Sequence, residues 1–342
     1  MRGEVRYAVV GAGRRGLRHL RILSEIEGAR PVAVCDVDEA KVRAASERFG
    51  VRPYTSLDDM LAKERLDVAV ICSPVECHVP QALKCLEAGV SAILEKPVSL
   101  SARELRKLLE ACRKTDLVVA VGFQLRYSAL VDEVRRVVSG ERLSMLVGWW
   151  YWTVPLVPWI RRRDLAGGQV VEQAVHLVDL FRYLAGDVEE VAAFYTERGR
   201  DTEEDREVGF DNWASYAVTL RFRSGVVGSL ATTYALFPGL FKEGGGHPVG
   251  VDAVCREVLV RYAPDVEVAI YRRGAEPQVI RDGEDATKRM HRVMLEALLT
   301  GDSSLIRTPY EDSYKTMLTV LAANESARLG RMVRVKELEL AA

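Results

Sequence analysis

Between Arg6 and about Phe123, short apolar runs alternate with stretches whose apolar positions recur at helical spacing. The runs are Tyr7–Val10, Val32–Cys35, Val68–Cys72, Ser91–Leu94 and Val118–Val121, mostly β-branched. Between them lie Gly16–Glu25, Glu39–Phe49, Leu57–Ala62, Val79–Ala88 and Ala102–Lys114. Strands that are apolar on both faces and alternate with helices predict a parallel sheet covered on both sides. After Phe123 the pattern changes. A helix over Leu130–Val138 precedes strand-like segments at Ser144–Thr153, Val188–Thr196, Asn212–Phe222, Val226–Tyr234, Glu257–Ala263 and Val266–Arg272. Trp213, Ser215, Ala217 and Thr219 alternate with Ala214, Tyr216, Val218 and Leu220, the period of an antiparallel sheet with two unlike faces. Helices are predicted over Glu172–Leu184, Ala286–Leu299 and Tyr310–Leu329, and the glycine-rich Lys242–Gly250 reads as a mobile loop. The fold class is α/β: a Rossmann-type nucleotide domain over residues 1–123, then an α+β domain over residues 124–342.

Composition narrows the function classes. A chain of 342 residues suits two domains. Its 48 basic and 49 acidic side chains leave a formal charge of −1, which excludes a nucleic-acid partner held by the overall field. The most apolar stretch, Leu146–Ile160, is too short and too broken by Pro155 and Pro158 to span a membrane, and the N-terminus lacks the long apolar run of a secretory signal. The six cysteines form no CxxC pair and no zinc-like spacing, so the reading is reduced thiols in a cytoplasmic protein without a metal.

Gly11-Ala12-Gly13-Arg14-Arg15-Gly16 follows the first strand and opens a helix. Gly11 allows a tight turn, Gly13 allows backbone to approach a pyrophosphate, and Gly16 allows helix to pack on strand. The phosphates would meet free N–H groups at the positive end of the helix. Asp36, twenty positions after Gly16 at the end of the second strand, can accept hydrogen bonds from both ribose hydroxyls. A carboxylate there repels a 2′-phosphate, which favours NAD over NADP, although Arg14 and Arg15 lie close.

Chemistry in a doubly wound sheet sits beyond the carboxyl ends of the strands. Cys72-Ser73-Pro74, with His78 following, Glu95-Lys96-Pro97 and Gly122-Phe123-Gln124 all occupy such ends. Farther on, Glu172, His176 and Asp179 are spaced to share one helical face. A lysine with a carboxylate–histidine pair supplies a proton acceptor and a donor to a developing alkoxide; an ion pair with a satisfied histidine is the plainer reading of the same block. A single histidine excludes HExxH zinc chemistry. Trp150 and Trp152 alternate onto one side and could stack on a sugar ring, or could simply be core. Arg126 and Arg163, the latter in the run Arg161-Arg162-Arg163, could bind an acidic group or make surface ion pairs.

Together these residues resemble the glucose–fructose oxidoreductase/inositol dehydrogenase (Gfo/Idh/MocA) family: the glycine loop, Asp36, Ser73-Pro74 with His78, Glu95-Lys96-Pro97, Gly122-Phe123-Gln124, the block from Gly167-Gly168 through Glu172 and His176 to Asp179, and the ending Ser326–Arg331. The resemblance spans nearly the whole chain. It implies oxidation or reduction of sugars, inositols and related polyols with NAD or NADP. It further implies a C-terminal domain built on a large, mostly antiparallel open sheet that mediates dimer or tetramer formation. It makes Lys96 the catalytic lysine and His176 the acid/base. Glu172 stands where the family usually has Asp, and Ala174 replaces a common glycine, departures that bear on the substrate. The reverse reaction, a keto-sugar reductase, and a non-catalytic dinucleotide-binding regulator are the competing readings.

Overall fold

The structure, a computed structural model, describes residues 3–155, 157–237, 240, 248–281 and 283–341. Residues 242–247 of the glycine-rich segment therefore lie outside the described residues. In chain order the first elements are β1 (Val5–Val10), α1 (Arg14–Ser24), β2 (Ala29–Cys35), α2 (Glu39–Phe49), β3 (Arg52–Tyr54), α3 (Leu57–Lys63), β4 (Val68–Ile71), α4 (Val75–Glu87), β5 (Ser91–Leu94), α5 (Ala102–Cys112) and β6 (Val119–Val121). There follow α6 (Ala129–Ser139), β7 (Leu143–Tyr151), α7 (Arg163–Ala166), α8 (Gln169–Glu172), α9 (Val175–Ala185), β8 (Val188–Thr196), α10 (Glu203–Glu207), β9 (Ser215–Phe222), β10 (Val227–Thr233), β11 (Val249–Cys255), β12 (Val258–Ala263), β13 (Glu267–Arg272) and β14 (Gln278–Ile280). The chain closes with α11 (Ala286–Thr300), α12 (Tyr310–Leu329), β15 (Val333–Arg334) and α13 (Val335–Ala341). No helix among the described residues is long and apolar enough to cross a membrane.

Two compact units result, one of residues 1–127 with 285–314, the other of residues 128–284 with 315–342. In the first, six parallel strands take the order β3-β2-β1-β4-β5-β6. Order reverses between β1 and β4, the point at which ligands of doubly wound sheets bind beyond the strands' carboxyl ends. The strands are buried on both faces, as their apolar runs require: Val9, Val34, Val70 and Ile93 share one core with Leu20 and Leu23 of α1. Met290, Met294 and Leu295 of α11 join that core. The sequence reading assigns α11 to the second domain; the structure packs it in the first unit, because its apolar stripe covers this sheet.

The second unit is a nine-stranded sheet, β14-β13-β12-β11-β7-β10-β9-β8-β15. Every pair is antiparallel except β7 with β10. Strands β11, β14 and β15 are additional to those read from the sequence. Two of them are too short to display a period, and β11 begins at the edge of the glycine-rich segment. The predicted helix over Glu172–Leu184 is instead two helices, α8 and α9, interrupted at Gln173-Ala174. Along β9 and β10 the inward positions Tyr216, Val218, Leu220, Phe222, Gly228 and Leu230 are buried, and the alternate positions face outward.

Phe181 of α9 shows how helix meets sheet. Its ring fills the space left by Gly148 and Gly228: a Cβ at position 148 would stand 2.9 Å from Phe181 Cζ. Phe181 is fully buried. Phe181→Ala is expected to destabilise this unit by about 3–5 kcal/mol, read as a lower urea midpoint by tryptophan fluorescence, since the tryptophans Trp149, Trp150, Trp152, Trp159 and Trp213 all lie in this unit.

Candidate active site

The glycine loop closes tightly on the sheet of the first unit. Gly11 has φ +98°, and a Cβ there would lie 2.7 Å from the Cys72 carbonyl carbon. At Gly16 a Cβ would stand 1.8 Å from the Gly11 carbonyl oxygen. Gly13, by contrast, has nothing within 4 Å of an added Cβ, so its backbone is open to a ligand. No side chain caps the start of α1, and its first-turn N–H groups can meet an anion. Asp36 faces this loop: Ala12 N–H donates to Oδ2 at 2.7 Å and Asp38 N–H to Oδ1 at 3.0 Å. Each oxygen keeps a further lone pair for a ribose hydroxyl. These residues fit a dinucleotide.

Two strand ends beside the loop meet at His78. This buried ring lies between the Pro97 carbonyl (Nδ1, 2.9 Å) and the Ser73 carbonyl (Nε2, 2.8 Å) and, as a neutral imidazole, donates to one of them. Burial, ahead of both carbonyls, holds its imidazole below the ordinary value. Ser73 Oγ donates to Gln81. Glu95 is buried rather than turned outward: its Oε1 accepts from Gln124 Nε2 at 3.4 Å and faces His19 Nε2 at 3.0 Å, while Lys96 N–H approaches Oε2 at 3.3 Å. The sequence reading makes Glu95 and Gln124 cofactor contacts; here they are bonded to each other and brace the turn that carries Lys96.

The second unit holds its own constellation. Gly167 and Gly168 have φ of +73° and +87°, and a Cβ on Gly168 would crowd the Tyr216 hydroxyl and the Trp213 ring at 3.1–3.2 Å. That turn starts α8, whose last residue is Glu172; His176 follows in the first turn of α9. Both are buried. The break between the helices replaces the single face expected from their spacing. The Trp150 ring stacks on His176 at 21°, with centroids 6.3 Å apart. Asp179 turns the other way: Thr316 Oγ1 donates to it at 2.8 Å, Arg182 Nη1 donates to Thr316 at 2.8 Å, and Arg182 pairs with Asp187 at 2.7 Å. This buried network fastens α9 to α12.

Several predicted contacts are redirected. Arg126 is buried against Asp312 at 2.7 Å and the Arg307 carbonyl at 3.1 Å, so its guanidinium serves the first unit's own packing. Arg163 pairs with Glu197 and lies over the Trp213 ring, a structural ion pair in place of an anion site. Trp152 lies past the end of β7 and is exposed, whereas Trp150 is drawn in beside His176. One residue escaped the sequence reading. Tyr234, just past β10, is fully buried with no partner for its hydroxyl; burial first, and the charge of Glu172 second, push it well above the ordinary tyrosine range. The alternation of Gly228, Leu230 and Thr232 along β10, carried on two positions, puts Tyr234 on the inward face, but nothing in the sequence ties it to Glu172.

Comparison with known proteins places these features in a family. One model, described as an oxidoreductase family with an NAD-binding Rossmann fold, matches residues 5–123, and the Gfo/Idh/MocA C-terminal domain matches residues 136–242. The chain belongs to the Gfo/Idh/MocA family. It is thus an NAD(P)-dependent oxidoreductase. Among Gfo/Idh/MocA relatives, inositol 2-dehydrogenase from Rubrobacter xylanophilus is 29% identical over 99% of this chain and 96% of its own length. D-apiose dehydrogenase from Paraburkholderia graminis is 27% identical over 97% and 90%. A solved WlbA dehydrogenase from Chromobacterium violaceum, in complex with NADH and UDP-GlcNAcA, superposes with a TM-score of 0.81 at 26% identity, covering 97% of this chain and 96% of that one.

The loop geometry carries a direct test. Gly16→Ala is expected to weaken NADH binding at least about ten-fold, a loss of roughly 1.4 kcal/mol, in a fluorescence titration. Unchanged affinity would mean that the phosphates bind elsewhere.

Proposed function

We propose that the protein is an NAD-dependent dehydrogenase that oxidises a secondary hydroxyl of a cyclic sugar, inositol or related polyol. The observation that carries this reading is the buried Glu172 and His176 beside the Trp150 ring. It is supported by relatives named for the dehydrogenation of inositol and apiose. Residues 1–123 would bind the cofactor, and residues 124–342 would supply substrate groups and subunit contacts.

Bound NAD supplies the hydride acceptor. His176 takes the hydroxyl proton, Lys96 donates a hydrogen bond to the oxygen as charge develops on it, and Glu172 binds a neighbouring hydroxyl or supports His176. Trp150 offers its face to the C–H side of the ring. Asp36 selects NAD: its carboxylate accepts from ribose hydroxyls and repels a 2′-phosphate. The reverse direction, reduction of a keto-sugar, uses the same groups. The outward face of the second unit's sheet, where Phe194 is 74% exposed with Met145 and Val227 also bare, is the surface through which we infer homodimer or tetramer formation. Six free cysteines fit a reducing cytoplasm.

A panel of sugars, inositols and sugar acids assayed with NAD and NADP tests the assignment. Turnover of a neutral polyol is expected, with NAD preferred at least about ten-fold in kcat/KM, equivalent to roughly 1.4 kcal/mol. Lys96→Ala and His176→Ala are each expected to lower kcat by about 100- to 10,000-fold while NAD still binds. Tight NAD binding with no absorbance change at 340 nm on any member of the panel would favour a non-catalytic regulator.

A further inference from the structure

The first unit contains a line of buried polar groups that the proposed hydride chemistry does not use. His19 on α1 and His291 on α11 are both buried, and His19 Nδ1 lies 2.7 Å from His291 Nε2. On its other side, His19 Nε2 lies 3.0 Å from Glu95 Oε1. His291 Nδ1 is buried with no hydrogen-bond partner among the described residues. The His291 ring meets Tyr7 edge-on, centroids 6.2 Å apart, and Tyr7 Oη is also unpartnered. Among the charged groups acting on Glu95 are Arg15 from the first turn of α1 and Lys96 itself.

Proton positions follow from what each end of the line can accept. Burial raises the Glu95 carboxyl, but the His19 hydrogen bond with the charges of Arg15 and Lys96 outweighs it and holds Glu95 well below the ordinary range. As a carboxylate it only accepts, so His19 donates through Nε2. Burial above all holds the His291 imidazole well below its ordinary value, so His291 carries one ring proton. On Nδ1 that proton would be a buried N–H without an acceptor, at about 1–3 kcal/mol, and the 2.7 Å contact would then need a second proton and a cation on His19. On Nε2 it points straight at His19 Nδ1. The line therefore runs in one direction, from His291 N–H to His19, and from His19 N–H to Glu95.

We propose that His291 is a positioning residue for the Lys96 turn: it fixes the His19 ring so that His19 Nε2–H is aimed at Glu95, and Glu95 in turn holds the backbone from which Lys96 projects. Among the hydrogen bonds described for Glu95, that from His19 is the shortest. The proposal rests on Lys96 acting in turnover as read above.

Nitrogen-15 spectra of the histidine rings in the full-length protein, without substrate, are expected to show Nε2–H tautomers at His19 and His291 near neutral pH. His291→Leu removes the donor and should lower kcat about ten-fold, since misplacement of a catalytic group by about 1 Å can cost ~100-fold, with KM and NAD affinity changed by less than about two-fold. His291→Gln keeps an N–H that can reach His19 Nδ1 and should restore kcat to within about three-fold of wild type. An Nδ1–H tautomer at His291, or an imidazolium at His19, overturns the line of donors whatever the substrate proves to be. Equal losses of kcat in the leucine and glutamine variants, with the wild-type tautomer at His19, overturn the positioning role. Full turnover by Lys96→Ala faults the functional reading instead, and leaves the tautomer result to stand by itself.

Discussion

Gly16 can carry no side chain, because a Cβ there would stand 1.8 Å from the Gly11 carbonyl oxygen, and Gly11 in turn lies against the backbone of Cys72 and Ser73. This close approach draws the ends of β1 and β4 and the start of α1 to one point. Once α1 lies that near the sheet, Ala12 N–H reaches Asp36 and His19, one turn farther along, reaches Glu95. The Asp36 contact with the loop and the support of the Lys96 turn thus both depend on the same missing side chain. A larger residue at position 16 would displace α1 as a whole, which is why the cost of such a change falls on binding as well as on stability.

The second unit solves a different problem, that of holding ionisable groups out of water. Buried polar groups are tolerated when their hydrogen bonds are satisfied. Asp179, Thr316, Arg182 and Asp187 form a connected set, which Lys315 extends at Asp187. Its effect is to anchor α9, and with it the ring of His176 three residues earlier. Tyr234 and the Trp150 indole are different in kind. The Tyr234 hydroxyl and the Trp150 Nε1 are buried polar atoms without a hydrogen-bond partner among the described residues. Fixed polar atoms of this sort favour a ligand rich in hydroxyls over an apolar one.

Much of this was legible along the chain because it depends on local pattern. The alternation of buried strands with amphipathic helices predicts the parallel sheet, and the spacing of Gly11, Gly13, Gly16 and Asp36 predicts a dinucleotide site, in keeping with the NAD-binding Rossmann family match. Two kinds of feature were not legible. One is sequence-distant pairing: His19 meets His291 across 272 residues, and Arg126 meets Asp312, encounters that leave no periodic trace. α11 belongs here too, since an amphipathic stripe shows that a helix is covered without showing by which sheet. The other is local geometry finer than periodicity. Glu172 and His176 are spaced as on one helix, yet the backbone breaks at Gln173-Ala174, and only the Gly167-Gly168 turn packed on Trp213 and Tyr216 explains where α8 begins.

The arginine run sharpens what kind of polyol the site suits. Read along the sequence, Arg161, Arg162 and Arg163 are a candidate cradle for a sugar acid. In the structure Arg161 donates to the Pro155 and Val208 carbonyls, Arg162 pairs with Asp164, and Arg163 pairs with Glu197 and covers Trp213. Recruiting any of them to a substrate carboxylate would first break an existing bond, and for Arg163 would also uncover an aromatic face. Arg126 is committed to Asp312 in the same way. Glu172, meanwhile, presents a carboxylate that would repel an acidic ring substituent at short range. An anionic substrate would thus meet engaged cations and a like charge, whereas a neutral ring would meet hydroxyl-binding groups and an aromatic face. On the proposed function, and with Lys96 as the one cation assigned to the reacting oxygen, this balance favours an uncharged polyol.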